Sequence, residues 1–483
     1  MPAEHALITQ LASHLHQFRR RDRMRRVLLG SGGGVATLIA ADSRSRDTVS
    51  TYARAVPRTL TAASAVIATA ADYKLSMITT TAGTSSRHSA VQRCHERGAE
   101  RIAQACNANR GVYIKLGQIA QLSHIFPEQY VTRLRSMLDD APGSSFRSVK
   151  RTIEEDLGQS AESLFELDRT PVSSASLAQV HRAVCKRSGD RVAVKVQHRG
   201  LQELADSDVA AISSLVYLAS YFGVDYSFLV DEIKQNLPNE LSFTHEADNC
   251  KACGAYFRSL GGNLSQQVAV PSVYESLTSS RVLTMEYIEG FSPSDTDALR
   301  SHGISYSETA RLVSSAFAKL IFECGWLHSD PHQANLFIRP TIVNGVKKPQ
   351  LVIIDHGLYR NAQPYRDAWA QLWLSLLSSD VAGIESACKQ LGARDYKLFT
   401  SMVTTRSWER FTSASSHTEQ IRRVRGAVSE EERQEAQRLA SEKAGQIQDL
   451  LAHLPRPLLL VLKTSDNLRC VSDLCTVDHT HNC

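Results

Sequence analysis

The chain has 483 residues, 42% of them hydrophobic and 22% charged, with a formal net charge of +5 at pH 7. That length allows two or three domains around sizeable cores, and the composition excludes a multispan membrane protein. The charge balance is mild and no basic stripe is interleaved with aromatics, which argues against nucleic acid as a partner. Ten scattered cysteines in a long chain read as reduced thiols, and Cys250-x-x-Cys253 lacks the second pair a zinc site needs.

The first predicted unit is residues 1–85. Its first 41 residues hold six arginines (19, 20, 21, 23, 25 and 26) against Glu4 and Asp22, the pattern of a mitochondrial targeting segment. Val27 to Ala41 is uncharged but shorter than the roughly 20 apolar residues of a membrane span, so it is a marginal candidate anchor. A second, Ala/Thr-rich run covers Leu60 to Ala71. The expected location is the mitochondrion, in association with its inner membrane.

Residues 86–167 predict a helical extension. Apolar residues recur at three- and four-residue spacing through "AERIAQACNANRGVYIKLGQIAQL". Pro127 opens another helix, and a serine before "FRSVKRTIEEDL" with Gly158 after it brackets a third.

At Pro171 the texture changes. Two strand-like runs, Val180 to Cys185 and Arg191 to Gln197, flank a polar turn, and the second carries Val192-Ala193-Val194-Lys195. This has the form of the phosphate-pairing lysine on the third strand of protein kinases. Aligning Val180 with the valine of G-x-G-x-x-G-x-V puts Ser173, Ala175 and Ala178 at the three glycine positions. All are small, but their Cβ atoms restrict the loop, predicting an altered nucleotide grip. Val282 to Gly290 reads as a buried strand entering a hinge, with backbone near Glu286 to Ile288 facing adenine.

Further on, His328-x-Asp330 with Asn335 five residues later fits H-x-D-x-x-x-x-N, and Asp355-His356-Gly357 follows a buried-strand run where D-F-G should stand. In that chemistry Asp330 handles the nucleophile's proton, while Asn335 and Asp355 hold magnesium. The five matches occur in the kinase order and in strand or loop contexts that suit them.

The residues resemble the UbiB or ADCK (aarF-domain) family of atypical kinases over residues 86 to 470, most specifically through "YIKLGQ", "SSASLAQVH", "VAVKVQH", "LPNELSFTHEADN", "HSDPHQANLF" and "DHGLY". "DHGLY", with "TTRSWER" and "LPRPLLLVLKTSDNLR", resembles the mitochondrial aarF-domain-containing kinase 1 subgroup. The resemblance implies an α+β, two-lobed protein-kinase-like fold with a helical N-terminal KxGQ extension laid across the active site. It implies an N-lobe over 168–290 with inserted helices and a mostly helical C-lobe over 291–483. Lys115 and Gln118 would lie near the phosphates, with Glu240 holding Lys115, and Glu246 would pair with Lys195.

Three departures stand out. Glu240-Leu241-Ser242 replaces the family's Glu-x-Asp, which should weaken the clamp on Lys115 or shift its hydrogen bonding to Ser242. Gln333-Ala334 replaces Pro-Gly. The chain stops soon after Arg469, which would shorten the terminal helix. The expected function is an atypical kinase or ATPase using ATP and Mg2+, linked to mitochondrial membrane lipids and coenzyme Q homeostasis. The alternative is a pseudokinase scaffold whose nucleotide binding recruits membrane or mitochondrial-dynamics partners. A conventional protein kinase is disfavoured by the glycine-free loop and by the roughly 50 residues between Lys195 and Glu246.

Overall fold

The computed structural model describes residues 43–81, 83–119, 127–135, 143–221, 227–329, 331–413, 443–462 and 464–465, with 429, 431, 432, 435 and 438, and among these two long helices come first. Val27 to Ala41, Asp330 and the cysteines and histidines of the tail lie outside these residues. Residues 1–60 and 61–483 form two separate units. Among the described residues no helix is long and apolar enough to cross a membrane; the run from Leu60 to Ala71 lies within the first helix, α1 (Ser43–Thr79).

α2 (Ser85–Asn109) starts at Thr84, whose hydroxyl accepts the Arg87 N–H. Its buried face is made of small residues, including Ala90, Cys94, Gly98, Ala99 and Ala103. Gly98 has a steric reason: a Cβ there would fall 2.1 Å from the Tyr130 hydroxyl and 2.9 Å from Thr69. Asp72 on α1 receives two hydrogen bonds from Arg97 and one from Arg101, all on the facing helix α2. The extension continues through α3 (Val112–Ile119), α4 (Glu128–Arg135) and α5 (Phe146–Leu157). Ser145 caps α5, and Gly158 ends it in the left-handed conformation, φ +68°.

After the one-turn helix α6 (Ala161–Leu164) comes a five-stranded antiparallel sheet of β1 (Phe165–Leu167), β2 (Ser173–Ser174), β3 (Ala178–Cys185), β4 (Arg191–Gln197) and, later in the chain, β6 (Val282–Glu286). Its order is β1-β3-β4-β6, with β2 folded back on β3. β4 is rich in β-branched valine, and Val192, Val194 and Val196 lie in one core with Val149 and Ile153 of α5. Between β4 and β6 are the helices α7 (Leu201–Tyr221), α8 (Ser227–Glu240), α9 (Phe243–Ser259) and α10 (Gly262–Gln267), then the short strand β5 (Val268–Ala269). α7 and α8 are the insertion that separates Lys195 from Glu246.

The remainder is mostly helical. α11 (Thr296–Ser301) and α12 (Tyr306–Lys319) lead into a π-turn, Leu320–Cys324, closed by Gly325. β7 (Trp326–His328) pairs with β10 (Tyr359–Asn361). β8 (Leu336–Val343) and β9 (Val346–Ile353) form a hairpin turned at Asn344-Gly345, both with positive φ. α13 (Gln363–Ser378), α14 (Val381–Gln390), α15 (Tyr396–Thr404), α16 (Trp408–Thr412) and α17 (Ala444–His453) follow. Trp369, Leu372, Leu376, Phe399 and Leu458 are among the residues that fill their common core. Two loops, one on each side of the β8–β9 hairpin, thereby come to lie below α9.

Candidate functional site

Lys195 is the one residue inside β4 that is not fully buried between its valines, and it reaches α9. Its Nζ donates to both carboxylate oxygens of Glu246, at 2.6 and 2.8 Å, and stands 3.9 Å from Asp355 Oδ1. Phe243, one turn before Glu246, lies under the ammonium at 5.3 Å. Burial works against the lysine charge, but Asp355 and Glu246 outweigh it and hold its pKa above the ordinary value. Burial pushes the Glu246 carboxyl up, with Lys195 opposing. For Asp355 desolvation also favours the neutral form, yet Lys195 and the Gly357 N–H bring it down to about 2. The result is one cation shared by two carboxyl groups.

The segment after β9 is fixed by its backbone. The His356 N–H hydrogen-bonds Glu246, and the His356 carbonyl accepts from Asn249 Nδ2 at 2.9 Å. The imidazole is buried, with Nε2 2.9 Å from the Ile353 carbonyl and Nδ1 3.0 Å from the Tyr359 hydroxyl. A ring nitrogen facing a carbonyl carries the proton, so Nε2–H donates to Ile353 and Nδ1 accepts from Tyr359. Burial depresses its pKa to about 3, so it is neutral at physiological pH. His328 Nε2 meets the Asp355 carbonyl at 2.7 Å. Thus both faces of the Asp355 peptide are held, and the carboxylate stays partly exposed. Its Oδ1 accepts the Gly357 N–H at 2.9 Å, and Oδ2 has no partner among the described residues.

Asn335 closes a 3-10 turn, Gln333–Asn335, capped by His332, so Gln333-Ala334 sits in ordered structure. Its carbonyl accepts from the N–H of Ile354, which brings it beside Asp355. Asp330 lies outside the described residues. On α3, Lys115 forms an ion pair with Glu240 at the end of α8, and the Glu240 charge also bears on Lys195. The extension therefore reaches the same cluster. Gln118 is on α3 too, its side chain outside what is described. Ser242 does not replace the missing acid: its hydroxyl pairs with Thr244 at 2.8 Å.

Ser173 pairs with Val180, and the turn after it is closed by the Ala175 N–H donating to the Ala178 carbonyl. Glu286 ends β6; its carboxylate faces Ser272 and Arg339. The Ile288 N–H has no acceptor among the described residues. The CxxC pair is structural: Cys250 and Cys253 are buried in α9, and burial pushes their thiols up to about 12 and about 11. Among the described residues no cluster of His, Cys, Asp and Glu could hold a metal by itself. Asn249, Tyr359 and His198 play parts that the motifs contain but do not announce.

A lysine on an antiparallel sheet, a glutamate on the helix behind it, and two loops at a β-hairpin below define a kinase-like protein. More specifically, this chain belongs to the ABC1 atypical kinase family: the ABC1 atypical kinase-like domain matches residues 136–388. It is 38% identical over 473 residues to a putative ABC1 protein of Arabidopsis thaliana, covering 94% of this chain and 86% of that one. It is 35% identical over 406 residues to aarF domain-containing protein kinase 1 of Mus musculus, covering 83% and 74%. Among solved structures, the Rv3197–erythromycin complex from Mycobacterium tuberculosis is 20% identical with a TM-score of 0.44, over 80% of this chain and 95% of that one.

Proposed function

We propose that this protein is an atypical kinase or ATPase that binds Mg-ATP and transfers or releases the terminal phosphoryl group. The observation that carries the reading is Lys195 held between Glu246 and Asp355. A lysine kept charged and aimed by a buried glutamate is the device that orients phosphates in this fold class. Ser173, Ala175 and Ala178 would cover the phosphates, and backbone at Glu286 and Ile288 would meet adenine.

The donor set suits a hard cation, because Asp355 stays ionised with one oxygen unengaged among the described residues and Asn335 is adjacent. These two residues would hold Mg2+, which when bound supplies charge neutralisation at the phosphates. Lys195 orients the nucleotide, Glu246 orients Lys195, and Asp330 is assigned to the nucleophile's proton. Lys115, Gln118 and Glu240 would restrain access from the extension. Catalysis of this kind is positioning and electrostatics, not covalent chemistry.

The arginine-rich, acid-poor first 41 residues support import into the mitochondrion. The proposal there is association with the inner membrane and a role in lipid or coenzyme Q homeostasis. The rival reading is a pseudokinase scaffold that recruits membrane or mitochondrial-dynamics partners. It is favoured by the glycine-free loop and by the Lys115–Glu240 pair beside Lys195. Phosphate release by the purified chain, with and without cardiolipin-containing vesicles, separates the two. Turnover abolished by Asp330→Asn supports the enzyme. Nucleotide binding without turnover under either condition supports the scaffold.

A further inference from the structure

The turn between β2 and β3 is held from outside at two of its carbonyls, and one residue, His198, does both. The His198 N–H donates to the Leu177 carbonyl at 2.9 Å, and its Nε2 lies 3.0 Å from the Ala175 carbonyl. Because Nε2 faces a carbonyl it carries the proton, which leaves Nδ1 to accept from the Ser144 hydroxyl at 2.8 Å. The chain of contacts then runs on. The Ser144 N–H donates to Gln179 Oε1 at 2.5 Å, and Gln179 Nε2 donates to His181 Nε2 at 2.8 Å. His181 Nδ1–H ends it on the Asp168 carbonyl at 2.7 Å. Gln179 and His181 are almost wholly buried, so this is an internal scaffold.

A second anchor is apolar. The Leu177 side chain, at the tip of the turn, is buried in the core of the helical extension with Ala103, Cys106, Val112 and Tyr113. Yet polar groups in and beside the turn are unpaired among the described residues: Ser176 is only 7% exposed, its N–H and that of Leu177 meet no acceptor there, and the buried Ser174 Oγ has no partner. A buried N–H without a partner is costly, and an anionic oxygen would relieve it. In a trans peptide the Ser176 N–H points away from the Ala175 carbonyl, so pinning that carbonyl on His198 also fixes where the N–H points.

We propose that His198 is a positioning residue for phosphate: by pinning the Ala175 and Leu177 carbonyls it turns the Ser176 N–H toward the nucleotide's phosphate oxygens. This deepens the nucleotide reading above and rests on it. The loop is then a fixed cradle, joined to the extension through Leu177, and not a lid.

The test compares dissociation constants of the full chain for Mg-ATP and for adenosine, which lacks phosphate. His198→Ala should weaken Mg-ATP by about five- to tenfold, the scale of one well-placed hydrogen bond, and leave adenosine within about twofold. His198→Gln, whose amide N–H can reach the Ala175 carbonyl, should restore most of the loss. If His198→Ala does not fold, Ser144→Ala removes the hydroxyl that orients the ring and should weaken Mg-ATP in the same selective sense. Equal losses for both ligands, or no loss for either, overturn the proposal while leaving the nucleotide reading in place. Wild-type protein that binds neither ligand would instead sink the nucleotide reading, and this proposal with it.

Discussion

Asn249 Nδ2 donates to the His356 carbonyl at 2.9 Å, across 107 positions of sequence. Three residues earlier on the same helix, Glu246 accepts the His356 N–H. α9 therefore grips the backbone of His356, the residue after Asp355, at both its N–H and its carbonyl. Asn249→Leu keeps the volume and removes the donor. It should reduce the thermal stabilisation given by Mg-ATP, with an affinity loss of about 1–2 kcal/mol. Differential scanning fluorimetry with and without nucleotide measures it.

Glu246→Gln should weaken Mg-ATP binding by at least about tenfold. The amide keeps the shape but removes the charge, and Lys195 is then drawn to Asp355, 3.9 Å away, in competition with the cation. The variant should also be destabilised, since Lys195 loses its nearest counter-ion. Calorimetric titration reads the affinity, and urea unfolding reads the stability.

The Lys115–Glu240 pair is largely shielded from solvent, whereas Lys150–Glu162 on the surface is not. A double-mutant cycle on Lys115→Met and Glu240→Gln should give a coupling above about 1 kcal/mol. The same cycle on Lys150→Met and Glu162→Gln should fall near zero. Because the first pair joins the extension to the helix before α9, breaking it should also speed nucleotide exchange.

Asp72 gives a pH signature that is independent of the site. The Arg97 hydrogen bonds hold its carboxyl at about 2 against an ordinary value of 3.8, with Arg101 adding to them and burial opposing. A carboxyl whose folded pKa is depressed stabilises the fold above its unfolded pKa, and that contribution is lost as pH falls through the folded value. Asp72→Asn should therefore cost about 1 kcal/mol near neutrality, after allowance for solvent screening. Its melting temperature should converge on that of wild type between about pH 4 and pH 2.

Some of this was legible in the sequence, and the reasons are physical. Alternating valines mark β4, and the polar turn from Lys186 to Asp190 separates it from β3, so both strands are marked to within two residues. Ser145 and Gly158 mark α5 for the same kind of reason, since helix ends need a cap and a left-handed residue. The 50-residue gap before Glu246 signals inserted helices, which are α7 and α8. The apolar run from Leu60 to Ala71 was harder to read. Ala62 and Ala65 are buried and Ile67 is exposed, so the run is a helix with two unlike faces, and composition alone does not separate them.

The contacts that hold the site in place were not legible. Asn249 and His356, or His198 and Ala175, meet through single hydrogen bonds between a side chain and a distant loop carbonyl. Such bonds leave no periodicity, and each residue type has many innocuous uses. Ser242 illustrates the converse. Its position beside the Lys115 pair suggested a substitute partner, but a neighbouring threonine hydroxyl satisfies it locally.

The central claim is that Lys195, Glu246 and Asp355 converge on one triphosphate and its divalent ion. Calorimetric titration of ATP with and without Mg2+, on wild type and on Asp355→Asn, tests it most directly. Wild type should bind at least about tenfold more tightly with Mg2+, and Asp355→Asn should bind equally with and without it. Wild type indifferent to Mg2+, or Asp355→Asn with the full Mg2+ effect, would contradict the account.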